Sequence, residues 1–206
     1  SLVNLIPGFY PATRGQVRVF GRDVKDWPAA ALRAKVGIVP QKAVLFRGTI
    51  RENLLWGRSD AGDDALWAAL VCAQAKDFVE QKEGALSAPV EQGGKNLSGG
   101  QKQRLTIARA LVRKPDILIL DDSASALDYA TDAKLRRAIR EMEGGPTVFL
   151  VSQRAASIRH ADKIIVLDDG RVAGIGTHEA LLQSCPVYQE IYHSQFPKEA
   201  ACTKEA

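Results

Sequence analysis

The stretch Asn96-Leu97-Ser98-Gly99-Gly100-Gln101-Lys102-Gln103-Arg104 constrains this chain more than any other. Ser98 is a helix N-cap residue, two glycines follow it, and a helix-forming run continues from Gln101 to Val112. A helix start leaves backbone N–H groups without intrahelical partners and carries the positive end of the macrodipole. Glycines keep that end open, so an anion can come close to the backbone. The stretch therefore reads as an end that recognises phosphate, with Ser98 Oγ as a further donor. Ser-Gly-Gly alone is better explained by an ordinary capped helix after a glycine turn; the next element adds the weight. After Pro115 the chain runs Ile117-Leu118-Ile119-Leu120 and then Asp121-Asp122. A short, wholly apolar run suits a strand buried on both faces of a parallel sheet. Carboxylates at its C-terminal end sit where α/β folds bind ligands, and Asp121 is placed to hold Mg²⁺, directly or through a water. A plain strand-end turn would also produce one Asp-Asp pair.

Together these elements resemble the signature motif (L-S-G-G-Q) and the Walker B strand of ABC-type ATPase domains, and Ser125-Ala126-Leu127-Asp128 matches that family's D-loop in place. The resemblance runs from Leu2 to about Phe196. It implies an α/β fold: a P-loop NTPase-like, mainly parallel sheet flanked by helices, with an inserted helical subdomain and an antiparallel edge. It also implies ATP and Mg²⁺ as cofactors. Ser98, Gly99, Gly100, Gln101, Asp121 and Asp128 fall on nucleotide-contacting positions. In the family a loop G-x-x-x-x-G-K-[ST] precedes the first helix; Ser1 resembles either its last hydroxyl residue or the residue after it. Elsewhere the loop is missing: Asn96 follows Gly94-Lys95, and Pro89 stands at the first glycine position. The chain thus reads as one domain, 1–206, that lacks the Walker A loop and the strands before it, and weak or absent ATP binding by this piece alone is the expectation.

Composition narrows the partners. With 46% hydrophobic and 25% charged residues the chemistry is ordinary globular. A net charge of +4, with basic residues spread along the chain, gives no reason to expect nucleic acid. Cys72, Cys185 and Cys202 show no metal spacing and suggest reduced thiols in the cytosol. No apolar segment approaches bilayer length, and no signal peptide is evident.

Taken in order, Leu2 to Ile6 reads as helix and Gly15 to Gly21 as an antiparallel edge strand. Asp26 to Lys35 reads as a short helix with Asp26 as cap and Pro28 in its first turn. Val36 to Val39 is a buried strand ended by Pro40-Gln41. Gln41 resembles the Q-loop glutamine, whose amide oxygen can ligate Mg²⁺ or orient water. Leu45 to Leu54 resembles the exporter version of the domain. Asp60 to Val112 is mostly helical, with Leu66, Ala69, Leu70 and Ala73 on one face; the inserted helical subdomain would span 48–112. Val90 to Gly94 lies where exporters carry a loop that contacts transmembrane coupling helices. Ala133 to Met142 reads as a solvated helix, Thr147 to Val151 as a fourth buried strand, and Lys163 to Gly174 as a hairpin through Asp168-Asp169-Gly170. Thr177 caps a last helix, His178 beside it reads as surface, and 198–206 as a frayed tail.

Two departures from the family pattern carry the sharpest expectation. A glutamate that polarises the attacking water follows the Walker B aspartate in the consensus; here that position is Asp122, one methylene shorter. A histidine usually ends the strand after it; here that position is Gln153, which cannot exchange a proton. Misplacement of a catalytic group by about 1 Å can cost roughly 10²-fold in rate. The signature stretch is intact. In the family two such domains pair head to tail, so the resemblance implies asymmetry: a slow site of this chain's own, and a signature helix that completes a competent site on a second ABC subunit. This is the pattern of the less active subunit in heterodimeric bacterial multidrug exporters, on the cytoplasmic face of the membrane, with a transmembrane domain on the same full-length chain. A working Asp122 in a divergent homodimer is the alternative at that site. Other classes are a soluble ABC ATPase acting on chromosomes or ribosomes, and a non-hydrolysing regulatory module.

Overall fold

The computed structural model describes residues 2–123, 126–142 and 144–197. Ser1, Ser125 of the D-loop stretch and the tail 198–206 lie outside the described residues. The chain divides into two compact units, Ser1–Val151 and Ser152–Ala206.

The first unit is built on three parallel strands. A short antiparallel pair, β1 (Arg18–Val19) and β2 (Arg22–Asp23), precedes them. Helix α1 (Ala29–Ala34) then leads into β3 (Val36–Val39). A second antiparallel pair, β4 (Gly48–Thr49) and β5 (Pro89–Val90), brackets α2 (Ile50–Leu55), α3 (Asp63–Cys72) and α4 (Lys76–Glu80). Helix α5 (Gly99–Val112) returns to β6 (Ile117–Asp121), and α6 (Tyr129–Arg140) to β7 (Thr147–Val151). The sheet order is β3-β6-β7, all parallel, with Val36 opposite Ile117 and Ile117 opposite Thr147.

The central strand shows why an apolar run was required. Ile117 and Ile119 enter a core with Val3, Val19, Leu32 and Val36, while Leu118 and Leu120 enter a larger one with Leu54, Leu70, Leu105 and Leu135. Alternate residues face opposite sides, so a strand buried on both faces admits no polar position before its end. The helical stretch 48–112 therefore shares its core with the sheet. Helix α5 is the spine of that core: Leu105, Ile107, Ala108, Leu111 and Val112 are all buried. It lies so close to β3 that a Cβ on Gly37 would stand 3.3 Å from the Ala110 carbonyl oxygen.

Several local expectations shift. Leu2–Leu5 is a 3₁₀ turn, not an α-helix. The Gly15–Gly21 strand shrinks to the pair around Phe20-Gly21, both at positive φ. Asp23, not Asp26, caps the turn before α1, because Pro28 occupies the cap position of the helix proper. Helix α6 starts at Tyr129, four residues before Ala133, because Asp128 caps it by accepting from the Thr131 N–H at 2.9 Å. Strand β7 is not buried: Val148 is 41% and Phe149 37% exposed, since among the described residues it pairs only with β6.

The second unit holds α7 (Ala155–Ile158), an antiparallel hairpin of β8 (Ile164–Asp168) and β9 (Arg171–Gly176), then α8 (His178–Ser184) and α9 (Pro186–Gln195). Asp169 and Gly170 both have positive φ, the two-residue turn that matches strand twist. Ile164, Val166, Leu181, Cys185 and Tyr188 form its core. His178 is half-buried rather than surface: its Nδ1 lies 2.9 Å from the Tyr188 hydroxyl.

Candidate functional site

The register of β3 on β6 sets the first group. Val39 pairs with Leu120, so Gln41 and Asp122, each two residues further on, emerge at the same end of the sheet. Gln41 Nε2 donates to Asp122 Oδ2 at 3.0 Å. Asp121 ends β6 opposite Val151 and is half-buried. Asp122 turns away from the strand with φ 46°, a left-handed conformation that aspartate tolerates better than most residues, and its N–H donates to the Val151 carbonyl at 2.9 Å.

The donors fit Mg²⁺. The Asp121 carboxylate and the Gln41 amide oxygen are hard oxygen ligands, the type that ion takes. Among the described residues no three His, Cys, Asp or Glu side chains gather as an all-protein cage. Such a sparse set suits an ion that completes its shell with phosphate oxygens and water.

The second group lies at the start of α5. Ser98 Oγ accepts from the Gln101 N–H at 3.2 Å, and Gln101 Oε1 accepts from the Ser98 N–H at 3.0 Å, a reciprocal capping box. This leaves the hydroxyl proton of Ser98 available, with Ser98 and Gly99 exposed. A Cβ on Gly100 would meet the Ala126 carbonyl oxygen at 3.3 Å, so the 126–128 segment stands against the signature glycines. Hydrogen bonds from the backbone and then the side chain of Thr131 hold the Asp128 carboxyl below the ordinary aspartate range. Arg104, one turn into α5, donates to the Gln74 carbonyl at 2.7 Å and lies over the Phe78 ring. Burial lowers its pKa, against the opposing pull of Asp128 and Asp77.

Sequence reading missed the residues that join the two groups. Gln103 is buried on α5, with its amide directed at the Pro40 carbonyl at 3.5 Å, and Arg109 donates to the Val44 carbonyl at 2.9 Å. Both fasten the segment after β3 to the signature helix. In sequence they stand among several polar residues of α5, with Gln101, Lys102, Arg104 and Thr106, and nothing local sets them apart. Gln153 belongs to the second unit, where its carbonyl accepts from Gln195 Nε2 at 2.7 Å while Gln195 Oε1 accepts from the Ala155 N–H.

Two clefts open beside α2, of about 810 and 320 Å³, and they share Trp56, Gly57 and Arg113. Phe46 stacks on Trp56 at 4.8 Å although both are exposed, and Arg109 lies over Phe46. The loop 90–94 reaches this region through the Gly93 N–H, which donates to the Leu45 carbonyl.

A parallel sheet whose central strand ends in paired carboxylates, with a capped glycine helix start on the same unit, defines a nucleotide-binding ATPase domain. The profile of the ABC transporter family matches residues 1–125, and the chain belongs to that family as an ATP-binding domain. An uncharacterized ABC transporter ATP-binding protein of Mycobacterium tuberculosis is 44% identical over 198 residues, which is 95% of this chain and 34% of that protein. A Staphylococcus aureus protein, provisionally named as a multidrug export ATP-binding/permease protein, is 39% identical over 195 residues, 95% of this chain and 34% of its own length. The solved structure of a bacterial Atm1-family ABC exporter with ATP bound superposes with a TM-score of 0.90 at 36% identity, over 94% of this chain and 34% of that one. This chain thus spans about a third of the length of these relatives. No helix among the described residues is long and apolar enough to cross a membrane.

Proposed function

We propose that this chain is the ATP-binding domain of a heterodimeric ABC exporter, with a slow nucleotide site of its own and a signature helix that completes the competent site of a second subunit. The observation that carries the reading is the contrast between the two groups. The start of α5 keeps its glycines, its capping box and an available Ser98 hydroxyl. The carboxylate in the water-polarising position is a short aspartate already engaged by Gln41.

At this chain's own site, Asp121 and Gln41 would hold Mg²⁺, which supplies charge neutralisation on the phosphates. Ser1, outside the described residues, would add a hydroxyl near the phosphates. Asp122 would be the group nearest an attacking water. In the partner's site, the backbone N–H groups at Gly99 and Gly100, with Ser98 Oγ, would donate to the phosphate that carries developing charge. Gln101 locks that end, and Asp128 holds the adjoining segment in place. The transmembrane part would dock on the face formed by the 90–94 loop and the Phe46–Trp56 stack, an exposed aromatic surface with arginines around it. The full protein would then sit with this domain on the cytoplasmic face of the membrane, coupling ATP turnover to export. Within the domain, 48–112 would be the inserted helical subdomain.

The test is steady-state ATPase activity of the full-length complex with Asp122→Asn. The substitution keeps the shape and removes the charge that could polarise water, and turnover within about twofold of wild type is expected because the competent site would be the second subunit's. Loss of a working general base costs roughly 10²- to 10⁴-fold, and a drop of that size would make Asp122 an active base and this a divergent but competent ATPase.

A further inference from the structure

We infer that Asp122 acts as a positioning residue for Gln41: its carboxylate fixes which end of the Gln41 amide faces the metal ion. The inference rests on the slow-site reading above and gives the short aspartate a task of its own.

An amide side chain has a donating end and an accepting end of nearly the same size. A divalent cation takes only the oxygen. Without a partner, the Gln41 amide can present either end. An ionised carboxylate accepts and cannot donate, so the amide end that meets Asp122 Oδ2 at 3.0 Å is the NH₂ group. With Nε2 committed there, Oε1 is left for a metal. Hydrogen bonds to a charged group are roughly twice as strong as neutral ones, which suffices to bias a flip between two otherwise similar orientations.

The backbone favours this use of the residue. Asp122 sits at φ 46°, where its N–H is tied to the Val151 carbonyl. Aspartate, asparagine and glycine accept that conformation more readily than glutamate. The short side chain keeps the carboxylate close to the sheet end from which Gln41 emerges. Orienting the amide and activating water are competing uses of the same oxygen.

The test uses the full-length complex loaded with a non-hydrolysable ATP analogue and Mn²⁺, with Mn²⁺ affinity read by electron paramagnetic resonance. Asp122→Gly keeps the backbone conformation and removes the carboxylate; with the amide then free to present either end, it should weaken Mn²⁺ binding at this chain's site at least about twofold. Asp122→Asn offers a donor as well as an acceptor, so it cannot commit Gln41 Nε2 and should weaken Mn²⁺ binding as Asp122→Gly does. Gln41→Leu, which removes the ligand itself, should lose at least as much as Asp122→Gly, and the double variant no more than Gln41→Leu alone, because Asp122 acts through Gln41. Analogue affinity in EDTA should be unchanged, as a measure of intact fold. If Asp122→Gly loses that affinity, Asp122→Ser, too short to reach the amide, replaces it in the same cycle. Wild-type Mn²⁺ affinity in the truncated variant, additive losses in the double variant, or wild-type affinity in Asp122→Asn would overturn the inference. The slow-site reading fails separately, through collapse of turnover in Asp122→Asn.

Discussion

At the scale of single residues, the side chains that shape the site do so through hydrogen bonds to backbone. Asn53 is buried, yet it donates to the Phe46 and Thr49 carbonyls and accepts from the Phe46 N–H, each at 2.9 Å, closing the turn before α2. Asp128 performs the same office for α6. Its carboxyl lies below the ordinary aspartate value of 3.8, chiefly through the Thr131 backbone and hydroxyl. A pKa depressed on folding adds stability that is fully present above the unfolded value and is lost as pH falls through the folded one. The first turn of α6 should therefore keep its amide protection at neutral pH and lose it on acidification below the aspartate range. Asp128→Ala should show the unprotected pattern at every pH, and hydrogen exchange of residues 129–132 measures both. Equal protection in wild type and variant at neutral pH would remove Asp128 from this role. Burial raises the Cys72 thiol to about 11, so Cys72 should resist alkylation at pH 8 in the folded chain and react on unfolding, followed by mass spectrometry.

At the scale of elements, close packing of backbones decides what substitutions the fold accepts. A Cβ on Gly57 would stand 2.0 Å from the Arg109 carbonyl oxygen and 3.1 Å from that of Leu54. Both obstacles are helix backbone, which cannot swing aside as a flexible side chain can. Gly57→Ala should destabilise the protein by about 2–3 kcal/mol through overpacking, whereas Gly62→Ala, with open space around its Cβ, should stay within about 1 kcal/mol. Denaturant unfolding of the two variants checks the pair, and equal costs would mean that α2 and α5 can separate freely. Helix α5 was legible in sequence because its cap, glycines and apolar run agree. Strand β6 was legible because burial on both faces leaves no other pattern. The extent of β1 and the exposure of β7 were not: alternation in a short segment does not say how many residues find a partner, and a run such as Thr147 to Val151 looks the same in a central strand and at an edge.

At the scale of the whole molecule, the proposal makes the two groups answer to different sites. On that proposal Ser98→Ala would remove a phosphate donor from the partner's site and should lower turnover of the full-length complex at least about tenfold. Asp122→Asn should leave it nearly unchanged. A melting temperature measured alongside separates chemistry from the lost cap, since replacing an N-cap serine costs about 1 kcal/mol. If both substitutions leave turnover intact, this chain serves neither site, and the regulatory reading takes the place of the exporter ATPase.

The sequence by itself determined which short segments are the candidates for the chemistry: Ser98 to Gln101, Asp121-Asp122, Gln41 and Asp128. These are local signals, written in caps, glycines and apolar runs, and their physics acts over a few neighbouring residues. Only the tertiary structure decided that Gln41 meets Asp122, that Gly100 lies against Ala126, and that Gln103 and Arg109 tie the Gln41 segment to the signature helix. Those contacts join residues far apart along the chain. Their geometry follows from strand register and from the approach of α5 to the sheet, both of which are set by packing of the whole core.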